Sequence, residues 1–180
     1  VFNLRLSGKT AIDVGASTGG FTDCLLKNGA SRVYAVDVGT GQLDPELKKD
    51  SRVVSMEKTD IRSVKAEDLG GPADIAAVDV SFVSLAKILP AVRELLKNGG
   101  ELVCLVKPQF EAGRERVGKH GLVRDPEVHA DVLKNVLTQA RAMGFGIKGL
   151  TYSPIKGSDG NIEYFIYLIK RPGEEGAISP

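Results

Sequence analysis

The chain has 180 residues, 42% hydrophobic and 26% charged, with a formal net charge of +1. That length suits one α/β domain with a substantial core, no apolar run approaches the ~20 residues that cross a bilayer, and a near-neutral charge gives no support to a free-standing nucleic-acid binder, which is usually more basic. The two cysteines, Cys24 and Cys104, form no CxxC pair and have only His120 and His129 beside them. This excludes a zinc site and reads as two buried, reduced thiols in a cytoplasmic setting. The start Val1–Arg5 has no apolar signal-peptide core, and a Val start reads as a piece of a longer chain.

Strands and helices alternate along the chain, which predicts a mainly parallel sheet with helices on both faces. A first strand spans Thr10–Val14. A glycine-rich turn follows, then a helix over Gly20–Asn28 stopped by Gly29. Arg32–Val36 is a second strand. Asp44-Pro45-Glu46 reads as an N-cap with proline at the first helical position, opening a short helix to Lys49. Val53–Met56 is a third strand and Ile75–Val80 a fourth, apolar but for Asp79, as a buried central strand should be. Ser84 caps a helix to Lys97 in which Pro90 predicts a kink or a break, and Gly99-Gly100 ends it. Glu101–Val106 is a fifth strand. Pro108–Arg124 is a long loop rich in charge and glycine, of the kind that is functional or mobile. Asp125-Pro126-Glu127 opens a helix to Met143. The last two strands, Gly146–Tyr152 and Glu163–Ile169, are joined too closely for a crossover helix and are expected to be antiparallel. The polar segment Pro172–Pro180 reads as a tail.

Two signals point to an adenosine-type ligand. Asp13-Val14-Gly15-Ala16-Ser17-Thr18-Gly19-Gly20-Phe21 lies at a strand end, where glycines let the backbone pass close to a ligand at the carboxyl edge of the sheet. Ser17 stands where the dinucleotide pattern needs its second glycine, which weakens a nicotinamide-cofactor reading. Asp37 ends the second strand 22 residues past Gly15, where a carboxylate accepts from both ribose hydroxyls. Asp60 is open to two readings, a contact to the adenine amino group or a helix N-cap for Ile61-Arg62-Ser63. Farther along, Asp79 and Lys107 close their strands and are expected in one crevice, as a reactive pair or a structural salt bridge. Glu163 opens the last strand. That strand is expected to lie beside the fifth, bringing Glu163 near Lys107.

Gly15–Asp23, Asp79-Val80-Ser81-Phe82, Val106-Lys107-Pro108-Gln109-Phe110-Glu111 and Gly157–Glu163 closely resemble the TlyA hemolysin-like family, within the FtsJ-like ribose 2′-O-methyltransferases. The resemblance runs from about Leu6 to Arg171. It implies a Rossmann-like methyltransferase domain over residues 1–171, a mostly parallel seven-stranded sheet with an antiparallel last strand, S-adenosylmethionine as cofactor and ribosomal RNA as substrate. It also implies a Lys-Asp-Lys-Glu catalytic tetrad, whose last three members match Asp79, Lys107 and Glu163. The first lysine belongs to a segment before the first strand, and Lys9 lies too close to that strand to match it. An amino-terminal S4-type RNA-binding domain, which family members carry, is expected in the full-length protein.

A ribose 2′-OH needs a general base, and Lys107 is the candidate, with Asp79 orienting it and Glu163 fixing the geometry. Asp79-Val80-Ser81-Phe82 lacks the Asp/Asn-Pro-Pro-Tyr/Phe of amino-group methylases, which favours a hydroxyl acceptor. Arg114, Arg116, Lys119 and Arg124 read as phosphate contacts. Phe82 and Phe110 read equally as a base-stacking platform or core. Two rivals stand beside this reading. A nicotinamide-dependent oxidoreductase shares the fold and Asp37 but leaves Lys107 and Glu163 without a role. A methyltransferase-like RNA-binding module without activity is harder to reconcile with Asp79, Lys107 and Glu163 all being present. A pore-forming hemolysin would need amphipathic or apolar spans, and the sequence has none.

Overall fold

Strand β1 (Thr10–Val14) is buried on both faces, and its alternation assigns the two sides of the sheet. Ala11 packs with Leu25 and Leu26 of helix α1 (Gly20–Lys27). Ile12 and Val14 pack into the larger core with helix α3 (Leu85–Leu95) and helix α5 (Pro126–Ala142). The computed structural model describes residues 2–157 and 160–172. Ser158, Asp159 and residues 173–180 of the expected tail lie outside them.

The remaining elements follow in βα order. They are β2 (Arg32–Val36), α2 (Pro45–Lys49), β3 (Val53–Met56), β4 (Ala73–Val78), β5 (Leu96–Val106), α4 (Pro108–Glu111), β6 (Phe145–Tyr152) and β7 (Tyr164–Lys170). The sheet order is β3-β2-β1-β4-β5-β7-β6. The first five strands pair in parallel, and β7 runs antiparallel to both β5 and β6. Thus the mostly parallel seven-stranded sheet with a reversed last strand is as expected. Side chains of Asp44 and Asp125 cap α2 and α5 ahead of their prolines, as read.

Four local expectations are corrected. The fourth strand begins at Ala73 rather than Ile75 and ends at Val78, so Asp79 stands one residue beyond it. Helix α3 stops at Leu95, because Leu96 is taken into the sheet opposite Ala73. Residues 97–100 then bulge out before Glu101 pairs with Ile75. Pro90 is exposed inside an uninterrupted α3, whose buried stripe of Leu85, Ile88, Leu89, Val92 and Leu95 holds the helix together on both sides of it. Cys24 is exposed, on the outer face of α1, and only Cys104 is buried.

The stretch read as a long loop is largely turned. After α4 it forms single 3-10 turns at Arg114–Arg116 and Lys119–Gly121. Its end is tied to the approach to β7. Buried Asn161 accepts from Val123 N–H at 2.9 Å and donates to the Gly121 carbonyl at 2.9 Å. Buried His129 has Nε2 2.8 Å from the Val123 carbonyl and Nδ1 3.0 Å from the Tyr164 hydroxyl. Among the described residues no helix is long and apolar enough to cross a membrane.

Two glycines of the first turn differ sharply in what a side chain would meet. A Cβ on Gly15 (φ +82°) would lie 2.1 Å from the Asp79 carbonyl oxygen, whereas one on Gly20 meets nothing within 4 Å. Gly15→Ala is therefore expected to cost about 3 kcal/mol or more. Gly20→Ala is expected to be neutral or up to about 1 kcal/mol stabilising. Urea unfolding of the two variants checks this, and equal midpoints would contradict it.

Candidate active site

Backbone bonds of the sheet run on into the loops at its carboxyl edge. Gly15 and Ala16 N–H donate to the Val36 carbonyl at 2.9 and 3.1 Å, Asp37 N–H to Met56 at 3.0 Å, and Asp79 N–H to Val14 at 2.9 Å. The loops after β1, β2, β3 and β4 are thereby locked around one cleft of about 480 Å³, a size typical of small-molecule sites. It opens at the carboxyl edge, where ligands bind in doubly wound sheets. Gly15, Ser17, Asp37, Asp60 and Asp79 line it.

The rest of the glycine turn faces elsewhere. Ala16 is buried against Ala35 and Leu43. A Cβ on Gly19 would lie 2.3 Å from Leu47 Cδ1. The Thr18 carbonyl accepts from Asp44 N–H at 3.1 Å. Gly20 opens α1, and the Phe21 ring sits 6.3 Å from that of Phe165. At Gly15 and Gly19 it is thus the protein itself that fills the space a side chain would need. Ser17, in left-handed backbone at φ 48°, turns its N–H to Asp37 Oδ2 at 2.8 Å.

Asp37 also accepts from Gly39 N–H through Oδ1 at 2.7 Å. Two backbone donors fix the carboxylate's orientation, and each oxygen keeps a free lone pair. Asp60 is an N-cap: it accepts from Arg62 N–H at 2.9 Å and pairs with the Arg62 guanidinium at 2.6 Å. The Arg62 contacts hold its pKa down at about 2. Sequence reasoning missed Val38, which is 73% exposed at the cleft and hydrophobic; its place directly after Asp37 was the available signal.

Asp79 Oδ1 meets the Lys107 ammonium at 2.5 Å, and the same ammonium donates to Ser81 Oγ at 3.0 Å. The two strand-end residues do share one crevice. Lys107 Nζ is largely shielded, its side chain only 13% exposed. Val106 pairs with Tyr164, so Lys107 lies one residue past the end of β5 and Glu163 one residue before β7, which opens at Tyr164 and not at Glu163. The buried Glu163 carboxylate nevertheless turns to Gln109, which donates to it at 3.2 Å. Lys107 keeps Asp79 as its carboxylate partner among the described residues. Phe82 is 90% exposed, in left-handed backbone at φ 63°, with its ring 4.9 Å from that of Phe110. Core packing does not account for it. Arg114, Arg116, Lys119 and Arg124 are all exposed, and Arg116 is ion-paired to Asp131 at 2.7 Å.

The strand order, with reversed β7 between β5 and β6, defines the methyltransferase variant of the doubly wound α/β fold. A family model described as FtsJ-like methyltransferase matches residues 1–170, and the chain belongs to that family. It is 54% identical over 174 residues to YqxC of Bacillus subtilis, a protein assigned by name to the rRNA methyltransferases, covering 96% of this chain and 62% of YqxC. It is 44% identical over 167 residues to the 16S/23S rRNA (cytidine-2′-O)-methyltransferase TlyA of Mycobacterium tuberculosis, covering 93% of this chain and 62% of TlyA. The chain thus spans about 62% of the length of these relatives. A solved structure of a candidate hemolysin from Streptococcus thermophilus superposes with a TM-score of 0.92 at 51% identity, covering 94% of this chain and 62% of that one. An S-adenosylmethionine-dependent methyltransferase from Listeria monocytogenes shares the fold, with a TM-score of 0.70 at 17% identity and 95% of each chain covered.

Beneath the turn lies Asp13, fully buried on β1. One oxygen accepts from Thr22 Oγ1 at 2.7 Å, and the other has no partner. Burial, opposed by the Thr22 bonds and reinforced by Asp79 and Asp37, pushes its pKa up to about 6. The folded state therefore holds a proton that the unfolded chain, with a pKa near 3.8, has already released. This contribution favours folding below about pH 4 and is lost as pH rises to about 6, a loss of about 3 kcal/mol. Asp13→Asn keeps a carbonyl acceptor for Thr22 and cannot ionise. Its melting temperature is expected to rise relative to the wild type as pH goes from 4 to 7, and parallel profiles would contradict the assignment.

Proposed function

We propose that this domain binds S-adenosylmethionine in the carboxyl-edge cleft and methylates a ribose 2′-hydroxyl of ribosomal RNA. The observation that carries the reading is the Lys107 ammonium held between Asp79 and Ser81 at the mouth of a cleft lined by carboxylates. The donor set fits the cofactor. Asp37, oriented by Ser17 and Gly39, would accept from the ribose hydroxyls. Asp60 would meet the adenine edge, with Val38 and Ile61 as apolar walls. Gly15 and Ser17 would flank the methionine-derived tail, with Asp13, Ala16, Thr18, Gly19, Gly20 and Phe21 holding the turn in shape. Three carboxylates, Asp37, Asp60 and Asp79, line the cleft, which suits a ligand carrying positive charge. The cofactor, when bound, supplies an activated methyl group on a sulfonium.

The protein's part is positioning and proton transfer. Lys107, in its neutral amine form, would take the 2′-OH proton at Nζ as the hydroxyl oxygen bonds to the methyl carbon and the methyl–sulfur bond breaks. Asp79 orients Nζ and favours the positive charge that develops there. Glu163, fixed by Gln109, shapes the β7 side of the site. Phe82 and Phe110 offer a ring pair for a splayed base, and Arg114, Arg116, Lys119 and Arg124 offer cations to phosphates. The names carried by YqxC and TlyA support an RNA substrate, and a ribosomal substrate would place the reaction in the cytoplasm.

Calorimetry with S-adenosylhomocysteine, and separately with NADH, tests the cofactor. Binding of the first alone, lost in Asp37→Ala, is expected. Lys107→Ala is expected to retain that binding and to lose methyl transfer to ribosomal RNA by about 10²–10⁴-fold. Transfer within a few-fold of wild type would remove Lys107 from the mechanism.

A further inference from the structure

Two segments bring the catalytic groups together. Residues 79–84 lead from β4 into α3, and residues 107–111 lead from β5 into α4. Besides the hydrogen bond from Lys107 to Ser81 at 3.0 Å, three contacts cross between them. The first is the Asp79–Lys107 ion pair at 2.5 Å. The second is the Phe82–Phe110 ring contact, with centroids 4.9 Å apart. The third is made by Glu111, which the mechanism does not use. Its Oε2 accepts from Ser84 Oγ and its Oε1 from Leu85 N–H, both at 2.7 Å.

This carboxylate sits in an unusual place for its charge. Burial pushes its pKa up, and Cys104, fully buried, lies beside it. Among the described residues no cation is ion-paired with it; its partners are two neutral donors at the N-terminus of α3. A helix N-terminus favours a negative charge, but α3 already has a cap, since Ser84 Oγ accepts from Ala86 N–H at 3.2 Å. A second, charged cap reaching over from another segment exceeds what the helix needs. What it adds is a tie between the segment carrying Asp79 and Ser81 and the segment carrying Lys107. The α4 turn is short and stiff, with Pro108 at its first position, Phe110 N–H bonded to the Lys107 carbonyl and Ala112 N–H to Pro108. Anchoring its far end at Glu111 therefore restrains Lys107 at its near end.

We propose that Glu111 is a positioning residue: its carboxylate clamps the two segments so that Lys107 is held against Asp79 and Ser81. The test reads Lys107 directly, without methyl transfer. The folded protein is treated with acetic anhydride, and acetylation of Lys107 is followed by mass spectrometry against exposed Lys134. Glu111→Gln keeps one acceptor and cannot satisfy both donors. It is expected to raise the relative acetylation rate of Lys107 by about five-fold or more, because the ion pair opens more often. Asp125→Ala removes a comparable cap from α5 and is expected to leave the rate unchanged, which separates positioning from general loss of stability. Ser84→Ala keeps the Leu85 bond and is expected to give about a two-fold rise. It decides the matter if Glu111→Gln does not fold. An unchanged Lys107 rate in the folded variant, or a rise matched by Asp125→Ala, overturns the clamp.

The catalytic consequence rests on the reading of Lys107 as general base. Glu111→Gln is then expected to lower kcat by about ten-fold with S-adenosylhomocysteine affinity within about two-fold. Faster acetylation with unchanged kcat would keep the clamp and overturn the base assignment, so the two failures are distinguishable.

Discussion

The carbonyl oxygen of Asp79 occupies the space that a side chain on residue 15 would need. Everything at the carboxyl edge depends on that approach. It seats the turn after β1 directly on the segment after β4, and the Asp79 N–H bond to Val14 closes the same junction from the other side. Because the turn cannot lift away, Ser17 is delivered to Asp37 and the cleft acquires a fixed floor. A bulkier residue would separate the two loops by the width of a methyl group, and the carboxylates lining the cleft would no longer share one wall.

Much of this was legible in the sequence because it is local. The alternation of apolar strands with capped helices gives the sheet, and a polar residue ending an apolar strand marks the carboxyl edge. Asp79 and Lys107 could be placed in one crevice from those two facts alone. What escaped was long-range. Capture of Leu96 by Ala73 shortens α3 and bulges residues 97–100, a pairing that no local propensity announces. Glu163 lies opposite Lys107 as read, but its side chain is claimed by Gln109, which depends on where the α4 turn sets that amide. Likewise, glycines that looked like room for a ligand turned out, at Gly15 and Gly19, to be room for the protein's own packing. A sequence records that a side chain is missing, not which neighbour takes the space.

The charged loop after β5 shows the same division. Its composition is open to reading, its anchorage is not. Asn161 holds its end through Gly121 and Val123, 40 and 38 positions away, and His129 joins Val123, 6 positions away, to Tyr164, 35 positions away. That anchorage ties the exposed Lys119 and Arg124 to the segment that leads into β7 and carries Glu163. A substrate gripped by those cations would be registered against the same rigid edge as Asp79, Lys107 and Glu163, instead of by an independently moving arm.

The balance of charge at the edge gives the site its direction. Asp37 and Asp79 are close enough to Asp13 to raise its pKa, and Lys107 is ion-paired with Asp79. Asp37 is held by two backbone N–H groups, from Ser17 and Gly39. Asp13 has a single hydroxyl partner and instead takes up a proton, its pKa near 6. Like charges confined this closely are costly when nothing opposes them. Their retention is understandable if the cleft is completed by a cationic ligand, whose arrival would favour ionisation of Asp13 and relieve the repulsion around Asp37. A pyrophosphate-bearing dinucleotide would do the reverse, adding negative charge to a cleft already lined by Asp37, Asp60 and Asp79. The carboxylates of this edge thus suit the cationic cofactor proposed above better than a dinucleotide, independently of the glycine pattern that first separated the two.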